Sequence, residues 1–340
     1  MNFLSDTTAP AHPKLIDAIA RANEGFAPSY GADSVSAQLK TRLSEIFETD
    51  LEVLLATSGT ASNALALSTL SPQDAMILCH DEAHIHRDER GAPEFFTGGA
   101  KLLPLHGDHA KISPVSLHSA LAEWPSDFVH ATPPRVLSIS QLNESGGAYS
   151  LDELDSLIQP AKAAGLAIHM DGARFSNALV SLGCTPAEMS WKRGVDVLCM
   201  GATKNGALAA EAVILFPSVK DRFATLQARQ KRAGHMLPKM RYVAAQMDAW
   251  LEDGLWLELA AQANTHAKTL ADGLSALPGC KLAHPVDGNE VFITLEGEVA
   301  ERMREAGVGF YAWPDGSARL VASWCTSDDE IEATLKAARG

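Results

Sequence analysis

The sequence predicts an α/β fold: a large domain on a mostly parallel, seven-stranded sheet, followed by a small C-terminal α+β domain. Three observations predict it. Seven short apolar segments recur through the first two thirds of the 340-residue chain, separated by stretches of helical character. Beyond Pro217 the pattern turns to long helices, and from Gly279 it returns to short strands and helices. The length also exceeds that of a typical single compact unit. Short apolar strands alternating with helices mark a parallel sheet buried on both faces, because each crossover helix covers the sheet it connects.

The elements follow in order. Leu51–Ala56 reads as a buried strand, and a helix runs from Ser58 to Leu70. Met76–Cys79 and Lys101–Leu105 are the next strands, and a helix follows from Ser113 to Glu123. Arg135–Ser140 and Leu166–Met170 flank a helix over Leu151–Ala164, and Val195–Met200 and Ala212–Phe216 complete the seven strands. Helical patterns then cover Val219–Gln230, Lys239–Glu252 and Leu255–Leu277. The tail reads strand, strand, helix, strand, strand, helix, with Val291–Leu295 and Arg319–Ser323 as its clearest strands. The division expected is 1–250 for the large domain, N-terminal segment included, and 251–340 for the small one.

Composition excludes several classes. Lys plus Arg is 28 against 42 Asp plus Glu, a net charge of −14. Nucleic acid and anionic lipid need clustered cations, so neither is an expected partner. No apolar run approaches the roughly 20 residues of a membrane span. Five cysteines, widely spaced and without a CxxC pair, read as reduced thiols rather than a disulfide frame or zinc site. The N-terminal residues lack the basic and apolar regions of a signal peptide. A cytoplasmic protein acting on a small molecule is the expectation.

Three constellations carry chemistry. Ser58-Gly59-Thr60 follows a strand and opens a helix, where unpaired N–H groups and the positive end of the helix dipole suit a phosphate. The same pattern also serves as an ordinary N-cap. Asp171, in His169-Met170-Asp171-Gly172-Ala173-Arg174, ends an apolar strand, the edge at which α/β folds bind ligands. A turn acid capping the next helix would look alike. Lys204, in Gly201-Ala202-Thr203-Lys204-Asn205-Gly206, ends another strand among small residues, a setting that suits Schiff-base chemistry, though surface turns also carry lysines. Together they supply what pyridoxal 5′-phosphate requires: a phosphate cup, an acid for the pyridine nitrogen and an imine-forming lysine.

With Ala83-His84-Ile85, Tyr30-Gly31-Ala32-Asp33, Ser5-Asp6-Thr7, Gly91–Phe96, His169–Ala178 and Gly194–Gly206, the chain resembles the pyridoxal-phosphate-dependent L-threonine aldolases over nearly its whole length. The likeness is greatest to the low-specificity and phenylserine aldolase branch. The resemblance implies fold type I of the pyridoxal-phosphate enzymes and a homotetramer of dimers with active sites at the dimer interface. It implies a lyase that cleaves L-threonine, L-allo-threonine or related β-hydroxy-α-amino acids to glycine and an aldehyde. It further implies that Lys204 carries the cofactor, Asp171 bonds its ring nitrogen, and Ser58, Gly59, Thr60 and Thr203 face its phosphate. His84 would lie over the ring, and Asp88 would face the same substrate hydroxyl. Arg174 and Arg319 would bind the substrate carboxylate, helped by Ser5 and Tyr30. Lys231 or Arg232 would reach a phosphate, that of a neighbouring subunit included.

The sequence departs from the family pattern in places. Glu144, in Gln141-Leu142-Asn143-Glu144-Ser145-Gly146, stands where many threonine aldolases have a second active-site histidine. His84, Asp88 and Glu144 are therefore all candidates for the catalytic base. Ala32 stands where the family often has an acid, and Thr203 replaces a more usual serine before the lysine. Rival readings are β-elimination or transamination on the same scaffold, and metal-dependent hydrolysis through the His80–Glu89 segment; no HExxH motif supports the latter.

Overall fold

The computed structural model describes residues 1–125 and 127–340. Its centre is a seven-stranded sheet of β1 (Glu52–Ala56), β2 (Met76–His80), β3 (Lys101–Leu105), β4 (Pro134–Ser140), β5 (Ala167–Gly172), β6 (Val197–Gly201) and β7 (Glu211–Leu215). Their order across the sheet is β1-β7-β6-β5-β4-β2-β3. Strands β2 to β6 pair in parallel, and β7 runs against both its neighbours. Every residue of β2, β6 and β7 is buried, as continuous apolar runs in a doubly covered sheet should be. The predicted strands and helices recur with ends shifted by a few residues. Two helices the periodicity did not single out, Pro13–Ala22 and Ser34–Ile46, pack beside the helix Arg241–Leu251.

The helix Gly59–Leu70 is buried throughout from Ala61 onward. It carries small and apolar residues on all sides, the composition of a helix with no solvent face. Ser58 caps it by accepting from the Ala61 N–H, which fixes where its first turn starts.

A second sheet, ordered β10-β11-β9-β8, is antiparallel: β8 (Lys281–Leu282), β9 (Glu290–Thr294), β10 (Tyr311–Ala312) and β11 (Ala318–Val321). The helix Leu255–Ser275 joins the two layers. Its start, through Leu255, Trp256 and Leu259, belongs to the main core, and its end, through Ala267, Leu270 and Leu274, belongs to the core of the small sheet. The N-terminal segment is shared as well. Phe3 is buried in the small-sheet core and its neighbour Asn2 bridges to Gly309, whereas Asp6 reaches Arg174 beside the large sheet. Among the described residues no helix is long and apolar enough to cross a membrane.

Candidate active site

Parallel strands that all point one way collect their C-terminal loops on one edge of the sheet. Here those loops surround a cavity of about 280 Å³. Ser58, Gly59 and Thr60 enter it after β1, His84 after β2, and Ser140 and Glu144 from the end of β4 and its loop. Asp171 and Arg174 enter from β5, and Thr203 and Lys204 after β6. Nine of these are candidates from the sequence; Ser140 joins them on the cavity wall, as do Asn63, Thr7 and Glu211, which sequence reasoning did not single out.

Asp171 is held by a chain of buried polar groups. Asn63 Nδ2 donates to Asp171 Oδ2 and to Glu89 Oε1, both at 2.8 Å, and Glu89 Oε1 in turn meets His84 Nδ1 at 2.9 Å. Burial acts to raise the Asp171 pKa, but the charges of His84 and Lys204 and the Ala173 N–H hold it below the usual carboxylate range. His169 lies behind Asp171, where burial pushes its pKa down to about 4 and keeps it neutral. Glycine is required just after the acid: a Cβ at Gly172 would lie 2.7 Å from Leu198 and 2.9 Å from the Cys199 carbonyl, because β5 and β6 approach closely there.

The acid facing the His84 ring is Glu89, which the sequence reading did not single out. The helix His84–Arg87 is one turn long and Asp88 closes it with its N–H on the His84 carbonyl, so the side chain that returns to the His84 ring is that of the next residue, Glu89. Asp88 is exposed and lines a neighbouring cleft with Trp313 and Asp315. The hydrogen bond that His84 donates to Glu89 raises the His84 pKa and uses its Nδ1, leaving Nε2 as the free ring nitrogen. His80 ends β2 and shares no helix face with His84.

Glu144 occupies the other wall. Its Oε1 accepts from the His84 backbone N–H at 2.8 Å and from Ser140 Oγ at 2.7 Å. Its Oε2 is shielded from solvent and has no hydrogen-bond partner among the described residues. Burial pushes its pKa up to about 7 despite these two donors. Glu211 is a second buried acid with its pKa raised to about 7 by burial; Thr203 Oγ1 donates to it at 2.5 Å. Lys204 has no hydrogen-bond or ion-pair partner among the described residues.

Arg174 is already paired. Its Nε and Nη2 donate to Asp6 at 2.8 and 3.1 Å, and Nη1 lies 3.0 Å from Glu290 Oε2. Arg319 does not line the cavity; its Nε and Nη2 donate to Glu290 Oε1 at 3.2 and 3.0 Å. Ser5 also stays outside, capping the short turn Asp6–Thr8 that brings Thr7 to the wall and Asp6 to Arg174. Tyr30 lines a separate cleft, with the Lys231 ammonium 4.8 Å from its ring centre, and Arg232 borders another beside Phe95.

The residues present fit pyridoxal phosphate. A side chain built on Gly59 would meet nothing within 4 Å, so open space lies against the N-terminus of the helix Gly59–Leu70, where a phosphate would find free N–H donors. A carboxylate kept ionised, an uncommitted lysine and an unpartnered carboxylate oxygen line the same space.

The family described as beta-eliminating lyase matches residues 2–298. A low specificity L-threonine aldolase from Pseudomonas sp. (strain NCIMB 10558) is 40% identical, over 97% of this chain and 94% of that one. The structure of a Leishmania major threonine aldolase superposes with a TM-score of 0.91 at 29% identity, over 99% of this chain and 98% of that one. An aspartate aminotransferase variant from Thermus thermophilus shares the fold alone, with a TM-score of 0.72 at 18% identity, over 99% and 95% of the two chains. The sheet, the site at its carboxyl edge and these likenesses converge: the chain has fold type I of the pyridoxal-phosphate enzymes and belongs to the beta-eliminating lyase family, among the low-specificity L-threonine aldolases.

Proposed function

We propose that this chain is a pyridoxal-phosphate-dependent aldehyde-lyase that cleaves L-threonine, L-allo-threonine and related β-hydroxy-α-amino acids to glycine and an aldehyde. The observation that carries the proposal is Glu144: a carboxylate oriented by two donors, with one oxygen unpartnered, in the same cavity as Lys204 and Asp171. Retro-aldol cleavage begins with loss of the β-hydroxyl proton. A base with a pKa of about 7 both accepts that proton and releases it near neutral pH.

In this reading Lys204 holds the cofactor covalently, Asp171 stands at its ring nitrogen, and Ser58, Gly59, Thr60 and Thr203 receive its phosphate. Bound there, the cofactor supplies an electron sink for the pair released when the Cα–Cβ bond breaks. Arg174 and Arg319 take the substrate's α-carboxylate, which their planar forks match better than a lysine would. Glu144 Oε2 accepts the hydroxyl proton. His84 packs against the cofactor, oriented through Nδ1 by Glu89, and Asp88 acts from the neighbouring cleft that Glu144 also lines. Ser5 acts at one remove, by setting the turn that carries Thr7.

We further infer a homotetramer in which Tyr30 and Lys231 face a neighbouring chain's site. The support is exposed apolar surface: Phe26, close to Tyr30 in the chain, is fully exposed, and Tyr30, Phe95 and Leu208 are exposed too. Light scattering is expected to give the mass of four chains; a monomer would refute it. The division into 1–250 and 251–340 is proposed at the end of the helix Arg241–Leu251, with one departure from it: residues 1–3 go with the small unit, because Phe3 packs there. Limited proteolysis that cuts first far from residue 250 would count against it. A cytoplasmic setting is supported by cysteines that are all unpaired; secretion of the protein into culture medium would refute it.

The activity is tested by incubating the cofactor-loaded protein with L-threonine, L-allo-threonine and phenylserine, and assaying glycine, aldehyde and keto acid together. Glycine with an equal amount of aldehyde is expected. Keto acid and ammonia without glycine would replace cleavage by elimination or transamination on the same scaffold.

A further inference from the structure

The two arginines assigned to the substrate carboxylate share a carboxylate of the protein's own. Glu290 opens β9 and pairs in register with Val321 of β11, while Phe292 pairs with Arg319. Glu290 and Arg319 are thus diagonal neighbours on one face of the small sheet, close enough for long side chains to meet. Arg319 directs Nε and Nη2 onto Glu290 Oε1 at 3.2 and 3.0 Å, and its guanidinium rests 5.2 Å from the Trp313 ring centre. The other oxygen, Oε2, lies 3.0 Å from Arg174 Nη1. Glu290 therefore spans from the small sheet to the cavity wall, and its side chain is 1% exposed.

Charge within this cluster is balanced. Two guanidinium groups face two carboxylates, Asp6 and Glu290, so an arriving α-carboxylate meets no net positive charge. One anion must give way for strong binding, because a third would face repulsion in a site shielded from water. The geometry distinguishes the two. Asp6 accepts two aligned bonds from Arg174 and a third from Asn289 Nδ2 at 3.1 Å. Glu290 Oε2 is near Arg174 by distance but accepts no hydrogen bond from it, and is one of the few buried oxygens left unsatisfied among the described residues. Asp6 is the fixed member and Glu290 the loose one.

We propose that Glu290 is a built-in competitor for the substrate-carboxylate site: its carboxylate occupies Arg174 and Arg319 until an amino acid's α-carboxylate takes them over. The proposal rests on the reading that these arginines receive that carboxylate. Glu290 then sets how tightly amino acids bind, and by returning to the arginines it favours release of glycine.

The test is equilibrium binding of glycine to the cofactor-loaded enzyme, followed through the cofactor's visible absorbance, with KM and kcat for L-threonine measured alongside. Glu290→Gln keeps the shape and removes the charge. Its glycine Kd is expected to fall about tenfold, with KM falling in step, because a charge-assisted competitor has been removed. Glu290→Asp withdraws the carboxylate by one methylene and is expected to tighten glycine by a smaller factor; it decides the matter should Glu290→Gln not fold. Arg319→Ala separates the two levels of the argument. If it leaves glycine affinity unchanged, the arginine reading fails. If it weakens glycine while the Glu290 variants bind no more tightly than the parent, the arginines stand and Glu290 only aligns them, which overturns the inference.

Discussion

Replacing Lys204 by Ala is expected to abolish cleavage, with kcat lower by on the order of 10³-fold or more, because the covalent holder of the cofactor is lost. The fold should tolerate the change. Lys204 follows β6 on the short turn Thr203–Asn205 and has no hydrogen-bond or ion-pair partner among the described residues. The turn is secured by other groups: Asn205 Nδ2 donates to Ser176 Oγ at 3.0 Å and to the Trp256 carbonyl at 2.8 Å. Removing an exposed or uncommitted side chain away from such contacts shifts stability by only about 0.5 kcal/mol. Two measurements check the expectation together: the melting temperature, which should stay close to the parent's, and the visible absorbance of the lysine-bound cofactor, which should vanish. A Lys204→Ala protein that still cleaves threonine at the parental rate would place the covalent link elsewhere.

How much of this was legible in the sequence depends on the range over which each residue finds its partners. Ser58 and Lys204 sit just past the ends of apolar strands and Asp171 at the end of one, and that local pattern suffices to send each to the carboxyl edge of a parallel sheet. Their convergence on one cavity follows from strand direction alone. Asp88 and Glu89 are adjacent in sequence, yet which one meets His84 depends on a helix ending after a single turn, a boundary that periodicity does not resolve. The arginine cluster was least accessible. Arg174 meets Asp6 across 168 positions, and Asn289 meets Asp6 across 283. Nothing in local composition marks such pairs, because they exist only once the N-terminal turn and the small sheet have docked on the large one. Asn63 and Glu211 were hidden differently: one reads as a polar residue within a helix, the other as the start of an apolar strand, and only their neighbours give them a role.

Glu144→Gln is expected to lower kcat by about 10²–10⁴-fold, the usual contribution of a positioned acid–base group, while leaving cofactor binding intact. The substitution preserves volume, and the amide oxygen can still accept from the His84 N–H and from Ser140 Oγ. What it removes is the charge and the proton-accepting Oε2. In the parent enzyme kcat/KM should rise with pH and level off above about 7, as Glu144 ionises. That limb should be absent from the variant's residual activity. Stability supplies an independent readout of opposite sign. The folded-state pKa of about 7 lies above the ordinary 4.5, so the buried carboxyl favours its protonated form. Its contribution to stability is fully present below pH 4.5 and is lost as pH rises toward 7, at a cost of up to about 3 kcal/mol. Glutamine never ionises and escapes that loss. Glu144→Gln should therefore melt higher than the parent at pH 8 and nearly with it at pH 4.5, although it is the slower enzyme at both. A charge kept in a place where the fold would prefer none is the mark of a group retained for its chemistry. If the variant were instead less stable at pH 8 and fully active, Glu144 would be a structural acid, and His84 Nε2 would be the remaining candidate for the base.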